Sequence, residues 1–306
     1  MDSKAFANAV CAQIDAGAVS SPKDLQSLKA RLSAQFGLTG APSNPDILMW
    51  ASAPSRTARL LLSIKAVRTL SGVAPVAVMT KPIDCAHGTC IYCPGGEQSV
   101  FGAIPKSYTG NEPASMRAVS NRFDGFLQVF NRLYQLVATG HSVQKIELIL
   151  MGGTFPSFAR AYQDEFVRDA FWAANTFSDW FFPKGLLEEK KFSDFFASTE
   201  YAQSGPLHEK LLSFKAAHPT TLVAEQEKNE SSFCRLVALC IETKPDYSME
   251  SHIDAMLLQG CTRVELGIQC LDAEILKFTN RGHTLADSIS ATALLKDSCL
   301  KVTYHM

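Results

Sequence analysis

The chain has 306 residues, of which 46% are hydrophobic, enough to bury one large core or two modest ones. Its formal net charge of -1 excludes a bulk positive field, so any nucleic-acid partner must meet a local basic patch. The 9 cysteines are an odd number, scattered except for one cluster, which argues against a disulfide scaffold and suits a reducing compartment. The N-terminus has no signal pattern, and no apolar run reaches about 20 residues, so we expect a cytoplasmic protein with no membrane partner.

Residues 1–64 predict a small helical domain. Ser21, Pro22 and Asp24 are typical of a helix start, and apolar residues then recur at helical spacing until Gly37. A basic group stands at the end of this region and just beyond it, with little acid nearby: Arg56, Arg59, Lys65 and Arg68. Charge alone leaves two interpretations open, a solvated helix face and a surface that binds a polyanion.

Residues 65–306 change to a repeated pattern of strand, loop and helix. Strands are predicted at 73–79, 146–151, 236–241, 263–268 and 300–305, with one continuous helix from Asn111 to Gly140. This alternation predicts a parallel α/β sheet that curls into part of a (βα) barrel. Residues 176–232 interrupt the pattern and are predicted to be an insertion with a helix or two. The chain stops at Met306 in an apolar strand, so we expect the barrel to be incomplete there.

Three cysteines, Cys85, Cys90 and Cys93, lie within nine positions directly after the first predicted strand. Thiolates bind both zinc and iron–sulfur clusters, so two interpretations compete. A structural zinc site normally has four protein ligands, and His87 would have to be the fourth. A cluster held by three cysteines instead leaves one iron open for another ligand.

Other unusual residues also follow the predicted strands. Gly152 and Gly153 come after the second strand, Glu242 after the third, Gln269 after the fourth, and His305 ends the fifth. Ligands of parallel α/β sheets collect at the carboxyl ends of the strands. A glycine pair is by itself most often a plain turn, but the coincidence on successive strands favours a cofactor site beside an open cluster.

The cysteine loop resembles that of the radical S-adenosylmethionine enzymes. More narrowly, the chain resembles the Elongator catalytic subunit family of tRNA wobble-uridine acetyltransferases. The resemblance runs from Lys65 to Met306 through strings at 67–82, 85–96, 107–113, 151–155, 242–246, 265–269 and 280–283. Residues 1–64 resemble the tRNA-binding region of that family. Four residues separate the first two cysteines, where radical enzymes commonly have three, and the Elongator family shares this departure.

The resemblance implies a role for each matching residue. Cys85, Cys90 and Cys93 would hold a 4Fe–4S cluster whose open iron binds S-adenosylmethionine. Contacts with this cofactor are implied for Tyr92, Gly152, Gly153, Glu242 and Gln269. Lys145 matches a position that contacts acetyl-coenzyme A. Contacts with the anticodon loop of tRNA are implied for Arg56, Arg59, Lys65, Arg68 and Lys81.

The implied reaction uses a 5′-deoxyadenosyl radical on the methyl group of acetyl-coenzyme A to carboxymethylate carbon 5 of the wobble uridine. The family's C-terminal acetyltransferase domain has no counterpart in this sequence, so we expect this chain alone not to complete the modification. Partner subunits of the Elongator type are also expected. Two alternatives stay open: a tRNA-binding scaffold with a structural iron–sulfur site, and an RNA-binding module in which zinc is held by the cysteines and His87.

Overall fold

The computed structural model of the chain describes residues 3–52, 54–197 and 205–306. Its first elements are the helices α1 (Ser3–Asp15), α2 (Pro22–Gln35), α3 (Asn44–Trp50) and α4 (Arg56–Leu62). Serines at positions 21, 43 and 55 cap α2, α3 and α4 by accepting a backbone N–H of the first turn. The four helices enclose a hydrophobic core of their own, with Phe6, Ile14 and Leu62 among its fully buried side chains.

The main sheet has five strands, which are β1 (Ala74–Met79), β4 (Lys145–Met151), β5 (Arg235–Thr243), β6 (Arg263–Gly267) and β7 (Lys301–His305). They are all parallel and lie side by side in this order. Two further strands, β2 (Gly96–Ser99) and β3 (Gly102–Ile104), form an antiparallel ribbon after the cysteine loop. The five predicted strands are confirmed, and strands of this sheet that are consecutive along the chain lie side by side.

Helices connect the strands and bury the sheet. They are α5 (Pro113–Ser120), α6 (Gly125–Ala138), α7 (Arg160–Phe181), α11 (Glu250–Leu258), α12 (Ala273–Phe278) and α13 (Leu285–Asp297). α6 packs against β1 and α7, and α7 packs against β5. Most apolar side chains of β1, β4 and β5, among them Val76, Leu148 and Ile241, are buried beneath these helices in the larger of the two main cores.

The prediction of one continuous helix from Asn111 to Gly140 is wrong. Arg122 and Phe123, with φ of 56° and 54°, adopt the left-handed conformation and interrupt the helix between α5 and α6. The side chain of Asp124 then accepts the backbone N–H of Leu127 and caps α6. Apolar residues keep a helical spacing across the break, so periodicity alone did not reveal it, although Met116 and Val119 of α5 are exposed.

The region 176–232 completes α7 and adds α8 (Glu189–Ala197), α9 (Gly205–Ala217) and α10 (Leu222–Ser231). Aromatic side chains join α7, α8 and α9 to α6, whereas α10 packs against α7. Phe181 lies with its ring centroid 6.2 Å from Phe130, 5.3 Å from Phe192 and 5.6 Å from Phe196. The four rings are buried, so this part of the chain belongs to the core. In the part of the chain that the structure describes, no helix is long and apolar enough to cross a membrane.

Candidate active site at the carboxyl ends of the strands

A cavity of about 260 Å³ opens at the carboxyl ends of the parallel strands. The last residues of β5, β6 and β7 line it together with residues from the loops after β1, β4, β5 and β6. This is the place where parallel α/β sheets bind their ligands. The cavity lining includes predicted site residues from β5, from β7 and from the loops after β1, β4 and β6: Cys85, Cys90, Tyr92, Cys93, Gly153, Glu242, Gln269 and His305.

The cysteine loop is held by hydrogen bonds from distant segments. The backbone N–H of Ile91 donates to the carbonyl of Thr279 at 3.1 Å, and Asn280 Nδ2 donates to the carbonyl of Thr89 at 3.1 Å. Within the loop, the N–H of Cys93 donates to the carbonyl of Cys90 at 2.9 Å. These contacts fix the backbone, so the three thiols face the cavity from a defined loop.

Three cations surround the cysteine loop. Lys106 Nζ donates to Thr89 Oγ1 at 3.1 Å, and Arg281 Nη1 lies 3.9 Å from Cys90 Sγ. Lys244 is buried and pairs with Asp246 at 3.2 Å. Burial lowers the pKa of Lys244, and Asp246 opposes that shift. Sequence reasoning missed these three residues as site residues, although Lys244 and Arg281 lie in strings that carried the family resemblance.

His87 is oriented by Lys244. Lys244 Nζ lies 2.9 Å from His87 Nδ1, and an ammonium group can only donate, so Nδ1 accepts and Nε2 carries the proton. His87 Nε2 is in turn 3.3 Å from Cys90 Sγ and can donate to that sulfur. The imidazole therefore has no free lone pair for a metal, which argues against His87 as the fourth ligand of a zinc site.

The donor set fits an iron–sulfur cluster better than a single metal ion. Among the described residues, Glu242, Glu265 and His305 place one ligand atom each within 4.8 Å of the other two. The three cysteine sulfurs do not form such a group. A cluster binds each thiolate through a different iron, so its cysteines need not converge on one point. Lys106, Lys244 and Arg281 supply positive charge where thiolates and an anionic cluster would stand.

The glycine pair after β4 allows a close approach of backbone to backbone. Gly152 has φ of 119°, and a Cβ atom there would lie 2.5 Å from Thr80 Oγ1. Gly153, with φ of 101°, lines the cavity itself. A side chain at the first position would strain the turn, and one at the second would reach into the space left for a ligand.

Glu242 is the most perturbed carboxylate of the cavity. Tyr108 Oη donates to both of its oxygens, at 2.8 and 3.0 Å. Burial raises the pKa of Glu242 to about 7, and the hydrogen bond from Tyr108 opposes that rise. Burial together with Glu242 also raises the pKa of Tyr108. The pair offers a polar contact whose charge changes near neutral pH.

A second polar contact lies beside it. His305 Nε2 is 3.2 Å from Glu265 Oε2, and Gln269, in the left-handed conformation with φ of 70°, donates its backbone N–H to the carbonyl of His305 at 2.7 Å. Glu242, Glu265 and His305 form a set of hydrogen-bond partners for amino and hydroxyl groups. The same ligand types would also accept a divalent cation.

Lys145 lies apart from the cavity. It is the first residue of β4, at the opposite end of the strand from Gly152 and Gly153, and it is exposed. It does not line the cavity. Its implied contact with acetyl-coenzyme A stays a prediction.

The predicted RNA-binding residues lie at different places on the surface. Arg59 forms an ion pair with Glu189 of α8, and Lys81 Nζ stands 4.8 Å from the ring centroid of Tyr162. Arg56 begins α4, whereas Lys65 and Arg68 belong to the exposed segment before β1. None of them lines the cysteine cavity in the described part of the chain.

No family model matches the chain. It is 45% identical over 268 residues to the tRNA uridine(34) acetyltransferase of Methanocaldococcus jannaschii, covering 87% of this chain and 42% of that protein. It is 38% identical over 292 residues to Elongator complex protein 3 of Mus musculus, covering 92% of this chain and 46% of that protein. Among solved structures, an N-terminally deleted archaeal Elp3 of Methanocaldococcus infernus matches with a TM-score of 0.51 and 35% identity over 76% of this chain and 37% of that one.

The fold is a partial (βα) barrel of the radical S-adenosylmethionine type with an N-terminal helical domain, as predicted. The chain spans less than half the length of the curated relatives it matches. Over the residues that it shares with them, the chain belongs to the family of Elongator complex protein 3 and the tRNA uridine(34) acetyltransferases.

Proposed function

We propose that this chain is the radical S-adenosylmethionine part of an enzyme that modifies the wobble uridine of tRNA at carbon 5, with acetyl-coenzyme A as co-substrate. The observation that carries the proposal is the convergence of three thiols, three cations and two partly buried polar contacts on one cavity at the strand ends. The names of the relatives supply the class of reaction and the tRNA substrate. The acetyl-transfer step and any partner subunits belong to the same proposal.

Cys85, Cys90 and Cys93 would hold a 4Fe–4S cluster in this cavity. Bound there, the cluster and S-adenosylmethionine would supply one-electron radical chemistry. Burial raises the pKa of the Cys85 thiol, and the positive charges of Lys244 and Lys106 oppose that rise. The N–H of Ser107 also points at Cys93 Sγ, at 3.2 Å.

The remaining residues of the cavity would bind and orient S-adenosylmethionine. Glu242 and Gln269 lie where amino and hydroxyl groups can be held, and Gly153 leaves room for the methionine moiety. Tyr92, about half exposed, presents an aromatic face at the rim for the adenine. Because the cavity is narrow, a bound cofactor would displace most of its water, which radical chemistry requires.

Metal analysis tests the proposal first. Protein purified without oxygen should contain about four irons and four sulfides per chain and show the absorption of an iron–sulfur cluster. Cys90→Ala should lose both. Cys299→Ala is the matched control, since Cys299 is an exposed free cysteine that does not line the cavity. Addition of S-adenosylmethionine and a reductant should then release 5′-deoxyadenosine.

Two results would contradict the proposal. Stoichiometric zinc in protein never exposed to oxygen would favour the structural zinc site. An intact cluster that never cleaves S-adenosylmethionine would favour a tRNA-binding scaffold.

A further inference from the structure

Three arginines are carried by elements that each pack against β1, the outer strand of the main sheet. Arg117 of α5 donates through Nη2 to the carbonyl of Ala77 at 3.4 Å. Arg132 of α6 donates through Nη1 to Gln135 Oε1 at 3.1 Å. Arg68 lies in a short 3-10 helix just before β1, and its charge acts on both other guanidinium groups. The three cations therefore share one small region, which we call the arginine cluster.

The arginine cluster lacks a counter-ion. Arg117 and Arg132 have only cations as charged neighbours among the described residues. Other arginines of the chain do have carboxylate partners: Arg59, Arg122, Arg160, Arg168 and Arg263.

Arg132 shows the cost of this arrangement. Its Nε atom is buried and has no hydrogen-bond partner. Burial, followed by the charges of Arg117 and Arg68, lowers the pKa of Arg132 to about 10. Guanidinium groups that repel one another and keep an unused buried donor are stabilised when an anion binds between them.

The arginine cluster is also preorganised. His141, which follows α6, uses both ring nitrogens to hold the segment that carries Arg68. Its Nδ1 lies 3.0 Å from Thr69 Oγ1 and its Nε2 lies 2.8 Å from the carbonyl of Ile64. The 3-10 helix is thereby attached to the end of α6, so Arg68 and Arg132 keep their relative position without a ligand. A site that is already ordered loses less entropy on binding.

We infer that Arg68, Arg117 and Arg132 bind phosphate groups of an RNA backbone, at a surface separate from the cysteine-lined cavity. Planar guanidinium groups match phosphate oxygens in pairs, and the formal net charge of -1 means that such binding depends on a local cluster of this kind. Exposed Lys65 lies shortly before Arg68 and extends the positive surface, which suits a polyanion. The inference rests on the proposed function, which requires an RNA substrate, and adds two arginines that the sequence did not single out.

The test measures RNA affinity as a function of salt. The unsubstituted protein and the variants Arg68→Gln, Arg117→Gln and Arg132→Gln are titrated into fluorescently labelled RNA hairpins that differ in loop sequence. Each variant should bind several-fold more weakly, equally for all loops, and should lower the slope of log K against log salt by about 0.7 per charge removed. Lys228→Gln is the control, because it removes one positive charge that is paired with Asp179.

A thermal measurement keeps the test valid if a variant folds poorly. Inorganic pyrophosphate should raise the unfolding midpoint of the unsubstituted protein and should leave that of Arg132→Gln unchanged. Without anion, Arg132→Gln should unfold no earlier than the unsubstituted protein, since the substitution removes repulsion. A midpoint that falls sharply without anion would mean that Arg132 serves the fold, and would overturn the inference.

The remaining outcomes separate this inference from the proposed function. Variants that bind RNA like the unsubstituted protein, with equal salt slopes, would overturn the inference alone. Poly-glutamate that competes as well as RNA would overturn it in favour of an acidic polypeptide. If the unsubstituted protein binds no RNA hairpin, both this inference and the RNA part of the proposed function are overturned. Cleavage of S-adenosylmethionine is a separate test of the role proposed for the cavity.

Discussion

Replacing Glu242 with glutamine should make the stability of the fold less dependent on pH. Burial raises the pKa of this carboxyl from 4.5 to about 7. The folded state therefore holds the proton more tightly than the unfolded chain, so the stabilisation is complete below pH 4.5 and is lost as pH rises through about 7. Each pH unit in that window is worth about 1.4 kcal/mol, so ionisation of Glu242 in place costs the fold on the order of 3 kcal/mol.

The substitution E242Q removes this cost and keeps an oxygen that accepts from Tyr108 Oη. The free energy of unfolding of the variant, relative to that of the unsubstituted protein, should rise by on the order of 3 kcal/mol between pH 4.5 and about pH 8. Urea unfolding followed by circular dichroism measures this difference in the free energy of unfolding. The experiment is done without oxygen and with a thiol reductant, which keeps the cysteines reduced. A chelator prevents a cation from bridging Glu242, Glu265 and His305.

Glu97→Gln, on exposed β2, serves as the control and should leave the pH profile as it is. If E242Q and the unsubstituted protein keep a constant difference in stability across this range, Glu242 is ionised throughout. The carboxyl would then be better solvated than its burial implies, and the reasoning would be refuted.

Three further predictions concern the fold around the site. Gly152→Ala should destabilise the protein by about 1–3 kcal/mol, because the new Cβ meets Thr80 Oγ1 in a left-handed turn; an unchanged thermal midpoint would contradict this. Phe181→Ala should cost about 3–5 kcal/mol in urea unfolding, since its ring is fully buried among other aromatic rings, and a cost below about 1 kcal/mol would mean that this cluster is not packed. Asp169→Asn should lower the free energy of unfolding by about 3 kcal/mol, because the largely buried Lys215 is left with one carboxylate fewer. Adding Lys215→Met to this variant should recover part of the lost stability. A double-mutant cycle that shows no coupling between the two positions would refute the ion pair.

The main sheet was accessible from the sequence because each strand is a short apolar run followed by a loop. The predicted strands at 73–79, 146–151, 236–241, 263–268 and 300–305 are all found. Parallel strands run in one direction, so their carboxyl ends lie at the same edge of the sheet. The sequence pattern therefore also predicted the edge of the sheet at which Glu242 and Gln269 lie. Cysteine spacing located the loop after β1 without any structural information.

Features that depend on contacts between distant segments were not accessible. Lys106, Lys244 and Arg281 converge on the cysteine loop from separate loops, and no local pattern tells which way a lysine or arginine side chain turns. The break at Arg122 and Phe123 was hidden because the apolar spacing continues across it. The rings of the region 176–232 likewise find partners on α6 that lie far away along the chain.

The hydrogen bonds that tie Ile91 to Thr279 and Thr89 to Asn280 determine when the cysteine loop becomes ordered during folding. They join positions almost two hundred residues apart, so they form only after the intervening strands have assembled, and contacts of such long range form slowly. While the chain is being synthesised, the thiols emerge early, but the loop that presents them together waits for the segment after α12. If the chain holds a cluster as proposed, insertion of that cluster would follow assembly of the sheet, and a chain stalled before residue 279 would expose three cysteines to oxidation.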